Sequence, residues 1–190
     1  MKRIIVFASG SGSNAENIIK FFNKTNTAKV VQVLCNNKEA KVFERCLKLN
    51  VPCSHFTKAD FFETDSILNL LKEKADLIIL AGFLWRVPSK IVDAFPKRII
   101  NIHPALLPKY GGKGMYGMNV HKAVAENKES ETGITIHFVN ENYDEGAIIY
   151  QAKTAVSEND TPEKIAEKIH QLEQSYFPRI IEDVILEINE

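Results

Sequence analysis

Short apolar runs alternate with amphipathic stretches through the first half of the chain. Residues 3–8, 30–35 and 77–81 are nearly unbroken apolar segments of strand length, and residues 53–56 read as a shorter strand. Between them lie residues 14–23, 40–49 and 60–74, where apolar positions recur at helical spacing, as with Val42, Phe43, Cys46 and Leu47. Strands that are apolar on both sides belong in sheets covered on both faces. The pattern therefore predicts an α/β fold, a doubly wound and mostly parallel sheet flanked by helices.

The second half is less regular. Residues 99–102 read as a further strand, followed by a stretch in which Gly111, Gly112, Gly114 and Gly117 mark a flexible loop or an ordinary surface connection. Residues 132–139 and 147–156 read as two longer strands separated by the turn-rich segment 140–146. Thr161-Pro162 is a helix start, with Thr as N-cap and Pro in the first turn. That helix is expected to run to about Tyr176, bend at Pro178 and continue through Ile185. With 190 residues and no internal repeat, one domain spanning 1–190 is expected.

Composition narrows the function classes. Lys plus Arg equals Asp plus Glu at 24 each, so no global field draws the protein to nucleic acid or to an anionic membrane. No apolar stretch reaches the ~20 residues of a membrane span, and Met1-Lys2-Arg3 leads into a strand-length run without a cleavage-like segment. Cys35, Cys46 and Cys53 are odd in number and lack CxxC spacing, which suits reduced thiols in a cytoplasm. The five histidines show no short metal-ligand pattern, so no metal is expected.

Three places carry candidate chemistry. Ser9-Gly10-Ser11-Gly12-Ser13-Asn14 lies where the first strand hands over to the first helix. Glycines there let backbone amides approach an anion, and the helix dipole favours one, although a tight turn would use the same residues. The spacing satisfies neither the dinucleotide fingerprint nor the nucleotide P-loop, so a monophosphate fits better. Next, Asn101-Ile102-His103-Pro104 ends a strand. Residues two apart in an extended chain face the same way, so a permanent amide donor and an imidazole project together, suited to a carbonyl oxygen gaining negative charge. A capping Asn beside a structural His is the plainer reading, and these four residues leave both open. A carboxylate near His103 would orient the ring and raise its pKa above the free value. Asp144 is a candidate, but spacing alone does not choose it over Glu141 or Glu145.

The strand followed by SGSGSN, the run Leu80-Ala81-Gly82-Phe83, then NIHPALLPKY, GITIHFV and Asp144-Glu145-Gly146 together resemble the phosphoribosylglycinamide formyltransferases, within the folate-dependent formyltransferases. The resemblance covers essentially the whole chain. It implies transfer of a formyl group from 10-formyltetrahydrofolate to the amine of glycinamide ribonucleotide, by direct attack through a tetrahedral intermediate in de novo purine biosynthesis. It implies Asn101, His103 and Asp144 as the catalytic set, and Gly12, Ser13 and Asn14 as the holders of the substrate phosphate. His170 and Glu173, three apart on one helix face, match positions that touch the phosphoribosyl group. Leu84, Trp85, Arg86 and Val87, with Asn101, Val139, Asn140 and Asp144, match the folate-binding walls.

The implied partners are small molecules, neither nucleic acid nor membrane, with the chain a monomer or a homodimer. Departures from the family pattern lie in a longer Gly-rich loop, in Trp85-Arg86, and around residues 61–64, where an Arg near the folate tail is replaced by no nearer cation than Lys58. Formyltetrahydrofolate hydrolases share the Asn, His and Asp, but have a second His where Pro104 stands and an additional regulatory domain. Methionyl-tRNA formyltransferases add an RNA-binding domain. A phosphosugar-binding module would use the 9–14 loop and leave Asn101 and His103 without a purpose.

Overall fold

The apolar runs pair side by side. A computed structural model of the chain describes residues 1–187 and arranges seven strands in one sheet. The strands are β1 (Lys2–Ala8), β2 (Ala28–Cys35), β3 (Cys53–His55), β4 (Leu77–Leu80), β5 (Ile99–His103), β6 (Glu131–Phe138) and β7 (Ile148–Ala155). Their spatial order is β3-β2-β1-β4-β5-β6-β7, with β1 to β5 parallel and β6 and β7 antiparallel. The mostly parallel, doubly wound sheet expected from the apolar pattern is the one observed.

Six α-helices cover the two faces: α1 (Ser13–Thr25), α2 (Val42–Lys48), α3 (Ser66–Lys74), α4 (Ser89–Ala94), α5 (Met118–Glu126) and α6 (Pro162–Glu187). Strand alternation divides the core between them. Ile4, Val6 and Ala8 of β1 pack with α1 and α6, whereas Ile5 and Phe7 face α3 and α4. Phe7 is almost wholly enclosed and stacks among Phe56, Phe61 and Phe83. Truncating such a side chain to Ala costs about 3–5 kcal/mol.

From β1 the chain builds outward to β2 and β3, then crosses back to add β4 and β5 on the other side. In an open α/β sheet, the crevice beyond the carboxyl ends at such a reversal is where ligands bind. The candidate residues Ser9 to Asn14 follow β1, and Asn101 and His103 end β5, so both reach this crevice.

The structure departs from the sequence pattern in four places. The helix expected over 60–74 is split: Ala59–Glu63 forms a π-helical turn and α3 begins at Ser66. Thr57 and Asp60 cap the turn reciprocally, Thr57 N–H donating to Asp60 Oδ2 at 2.7 Å and Asp60 N–H to Thr57 Oγ1 at 3.2 Å. Thr64, extended at φ −107° and ψ 172°, ends it. Helices α4 and α5 were not apparent from periodicity, being six and nine residues long. Finally, α6 continues unbroken through Pro178. Proline removes the hydrogen bond to the carbonyl four residues back, and that Gln174 carbonyl instead accepts from Asn17 Nδ2 of α1 at 2.9 Å.

Candidate active site

The crevice is a cavity of about 510 Å³, bounded by the loops after β1, β4 and β5, the Gly-rich segment, and the β6–β7 connection. At one end, Ser9 to Asn14 present backbone. Gly12 is the N-cap of α1 at φ +73°, with no side chain capping the first turn. The uncapped amides and the positive end of the helix dipole are at the cavity wall, an arrangement suited to an anion. A Cβ on Gly12 would come 2.5 Å from Val42 Cγ2, so the left-handed conformation and the close approach of α2 both demand glycine. The loop is braced from behind: Arg45 Nε donates to the Ser11 carbonyl at 2.7 Å while its guanidinium pairs with Glu16, and Val42 N–H donates to the Gly10 carbonyl at 3.3 Å. Asn14 bridges to α6, donating to Glu173 Oε2 and accepting from Gln174 Nε2, each at 2.9 Å.

The middle of the cavity holds titratable side chains. Asn101 Nδ2 lies 3.1 Å from His137 Nε2, while His137 Nδ1 is 2.9 Å from the Phe138 carbonyl. A carbonyl only accepts, so the proton of neutral His137 belongs on Nδ1, and Nε2 accepts from the Asn101 amide. The second Nδ2 hydrogen of Asn101 is left for a ligand. By the same logic His103 Nε2, 2.7 Å from the Tyr110 carbonyl, carries a proton, and its Nδ1 faces Asp144 Oδ2 at 3.5 Å. Any second proton on His103 therefore sits between ring and carboxylate. Asp144 also accepts from Gly112 N–H at 3.0 Å and lies 3.7 Å from His137 Nε2.

Burial and charge compete here. Burial pushes His103 below the ordinary imidazole pKa, outweighing the opposing pull of Asp144 and the Tyr110 carbonyl. This corrects the expectation of a raised value: the strand end that aims His103 also encloses it, leaving 4% of the residue exposed. For Asp144, burial acts to raise the pKa, but His103 and the Gly112 amide hold it below the usual carboxylate value. Glu173, 3.7 Å away, raises His170.

At the far end, Leu84, Trp85, Arg86 and Val87 line the cavity opposite Val139 and Asn140. Leu84 N–H is fixed by Ser9 Oγ at 3.0 Å and Val139 N–H by the Ile99 carbonyl at 2.9 Å. Trp85 rests edge-on against Phe56, ring centres 5.8 Å apart, with Lys58 Nζ 5.9 Å from its indole centre.

The residues singled out in the sequence thus share one cavity, except His170. It lies half-exposed on α6 beside Glu173 and reaches the cavity only through that carboxylate. Two buried histidines on the wall carried no assigned role. His137 is directly opposite Asn101 in the β5–β6 ladder, and the visible trace of it was an imidazole between the apolar Ile136 and Phe138. His121 of α5 left no trace, because α5 itself was not recognised. Among the described residues, no group of three or more His, Cys, Asp or Glu side chains could hold a metal ion. Nor is any helix among them long and apolar enough to cross a membrane.

Residues 2–181 match the formyl transferase family model, and the chain belongs to that family. Among its relatives, the chloroplastic phosphoribosylglycinamide formyltransferase of Arabidopsis thaliana is 40% identical over 187 residues, 95% of this chain and 64% of that protein. The phosphoribosylglycinamide formyltransferase of Bacillus subtilis is 35% identical, over 97% of this chain and 95% of its own. The chain therefore spans about two thirds of the plant relative and nearly all of the bacterial one. In structure it is similar to glycinamide ribonucleotide transformylase 1 from Geobacillus kaustophilus, with a TM-score of 0.88, 34% identity, and coverage of 97% of this chain and 99% of the other.

Proposed function

We propose that this protein transfers the formyl group of 10-formyltetrahydrofolate to the amine of glycinamide ribonucleotide, a step of purine biosynthesis. The observation that carries this reading is the convergence of Asn101, His103 and Asp144 in one cavity, between an anion-binding helix end and an apolar wall. A phosphate at Gly12 to Asn14 points the rest of a phosphoribosyl substrate toward Glu173 and the three side chains. A pterin between Leu84 to Val87 and Val139 to Asp144 brings a formyl carbon to the same place. The three free cysteines suit a cytoplasmic setting.

In this reading the substrate amine attacks the formyl carbon and its lone pair forms the new C–N bond, while the carbonyl π pair moves to oxygen. The free Nδ2 hydrogen of Asn101 stabilises that oxyanion. Protonated His103 adds a positive charge beside it, and Asp144 stabilises the imidazolium. The proton lost by the amine ends on N10 of the departing tetrahydrofolate when the C–N10 bond breaks. The site then returns to its starting state with no covalent enzyme intermediate.

The test is to incubate purified protein with both compounds and to detect formylated product by mass spectrometry. Formylated glycinamide ribonucleotide in stoichiometric yield with tetrahydrofolate is expected. Release of formate alone would make the protein a hydrolase, and no reaction would overturn the proposal.

A further inference from the structure

His121 is 6% exposed, and no hydrogen-bond partner meets its Nδ1 among the described residues. Its ring is on the wall of the same cavity as His103 and Glu173, presented by α5 where that helix packs against α6. A buried imidazole without a partner costs free energy, and such a group in a native protein needs a reason. Packing does not supply one, because an apolar side chain of similar size would fill the space without that cost.

Its surroundings narrow what it is for. The phosphate end is occupied by backbone amides and the reacting end by Asn101, His103 and Asp144, so His121 faces the stretch between them. Burial holds it below the ordinary imidazole pKa, against the pull of Glu173 and helped by the nearby His103. With Nδ1 enclosed, a ligand meets the ring at Nε2, which in a neutral imidazole either donates or accepts and so matches a hydroxyl, able to do the converse, better than a phosphate or an ammonium. Glu173 of α6, the helix packed against α5, also lines the cavity and is an acceptor for a neighbouring hydroxyl.

We infer that His121 is a substrate-binding residue that hydrogen-bonds a sugar hydroxyl of the phosphoribosyl substrate, together with Glu173 of the neighbouring helix. The inference rests on the function proposed above. It makes His121 a determinant of affinity for the sugar, distinct from the groups that hold phosphate and from those that act on the formyl carbon.

The experiment compares wild type, His121→Leu and His121→Gln. In His121→Leu the KM for glycinamide ribonucleotide should rise about tenfold, as expected for one lost hydrogen bond to a buried partner. The KM for 10-formyltetrahydrofolate should stay within about twofold, and the melting temperature should equal or exceed that of wild type because an unsatisfied polar group is gone. His121→Gln should recover part of the affinity. Ribose 5-phosphate, titrated calorimetrically, should lose affinity in His121→Leu while inorganic phosphate should not, which tests sugar recognition without any turnover. Unchanged ribose 5-phosphate binding would overturn the inference, as would equal weakening of both substrates with a lowered melting temperature, which would mark a packing role. Failure of the functional proposal would look different, since wild type would then form no product.

Discussion

At the 9–14 end of the cavity the wall is largely backbone, braced by side chains of α1, α2 and α6; at the 101–144 end it is made of polar and titratable side chains, which hold one another. Arg45, Glu16 and Asn14 fix the first end through carbonyls and ion pairs, while the amides that would meet a phosphate stay free. At the second end, His103, His137, Asn101 and Asp144 are both the scaffold and the chemistry. On the function proposed above, binding energy is placed on braced backbone amides. The groups proposed as catalytic occupy the part where burial and charge pull pKa values in opposite directions.

The largest effects should come from the side-chain end. His103→Ala and Asp144→Asn should each lower kcat by about 10²–10⁴-fold with the fold intact by circular dichroism. Asn is the better substitution at Asp144, because that residue adopts φ +56°, which Asn tolerates and Ala does not. Near-normal turnover in either variant would sink the assignment of that end to catalysis. Asn101→Ala should follow, losing about 10²–10³ in kcat through one missing oxyanion donor, with the KM values little changed.

The backbone end should respond in the opposite way. Gly12→Ala should raise the KM for glycinamide ribonucleotide and lower the unfolding free energy by about 1–3 kcal/mol, through the strained φ and the collision with Val42. Gly10→Ala is the control, since no atom lies within 4 Å of the added carbon and its φ is not positive. Comparable destabilisation by both would mean that the loop is not held where α2 brackets it. Urea denaturation and substrate titration separate the two effects.

The smallest effect is on proton affinity. Asp144 supports the charged form of His103, so Asp144→Asn should lower the His103 pKa further, read by NMR titration of the ring. An unchanged value would remove Asp144 as its electrostatic partner. The stability counterpart has a definite sign. His103 and His121 are depressed in the folded state, so their contribution is full above the unfolded imidazole value of ~6.5 and is lost as pH falls through their folded values. His170, raised by Glu173, acts in the reverse direction, being lost as pH rises, but its half exposure screens it. Urea midpoints should therefore decline between pH 7 and 5, before most carboxylates protonate.

The backbone end was more legible in the sequence than the side-chain end. Apolar strands and the glycines after β1 act locally, and their spacing reveals them, as it does the projection of Asn101 with His103. What escaped depends on partners distant along the chain. The break at Thr64 reflects two hydroxyl residues, Thr64 and Ser66, whose side chains bond each other and the Asp60 carbonyl in competition with helix hydrogen bonds. His137 gains meaning only from the antiparallel pairing of β6 with β5, and Asp144 is chosen over Glu141 and Glu145 only by the fold of its turn. The depressed pKa of His103 likewise follows from enclosure by loops that spacing does not describe.

The bridge from Asn14 and Asn17 to Gln174 and Glu173, joined by Thr27 to Glu182 at 2.7 Å, has a consequence in time. These partners are 155 to 160 positions apart, so on the ribosome the 9–14 loop leaves the exit tunnel long before its supports on α6 exist. Contacts of such long range are assembled late and slow a folding reaction. A nascent chain halted before α6 would carry β1 and α1 with Asn14 and Asn17 unpaired, and a segment made well before α6 would be among the last to reach its working form.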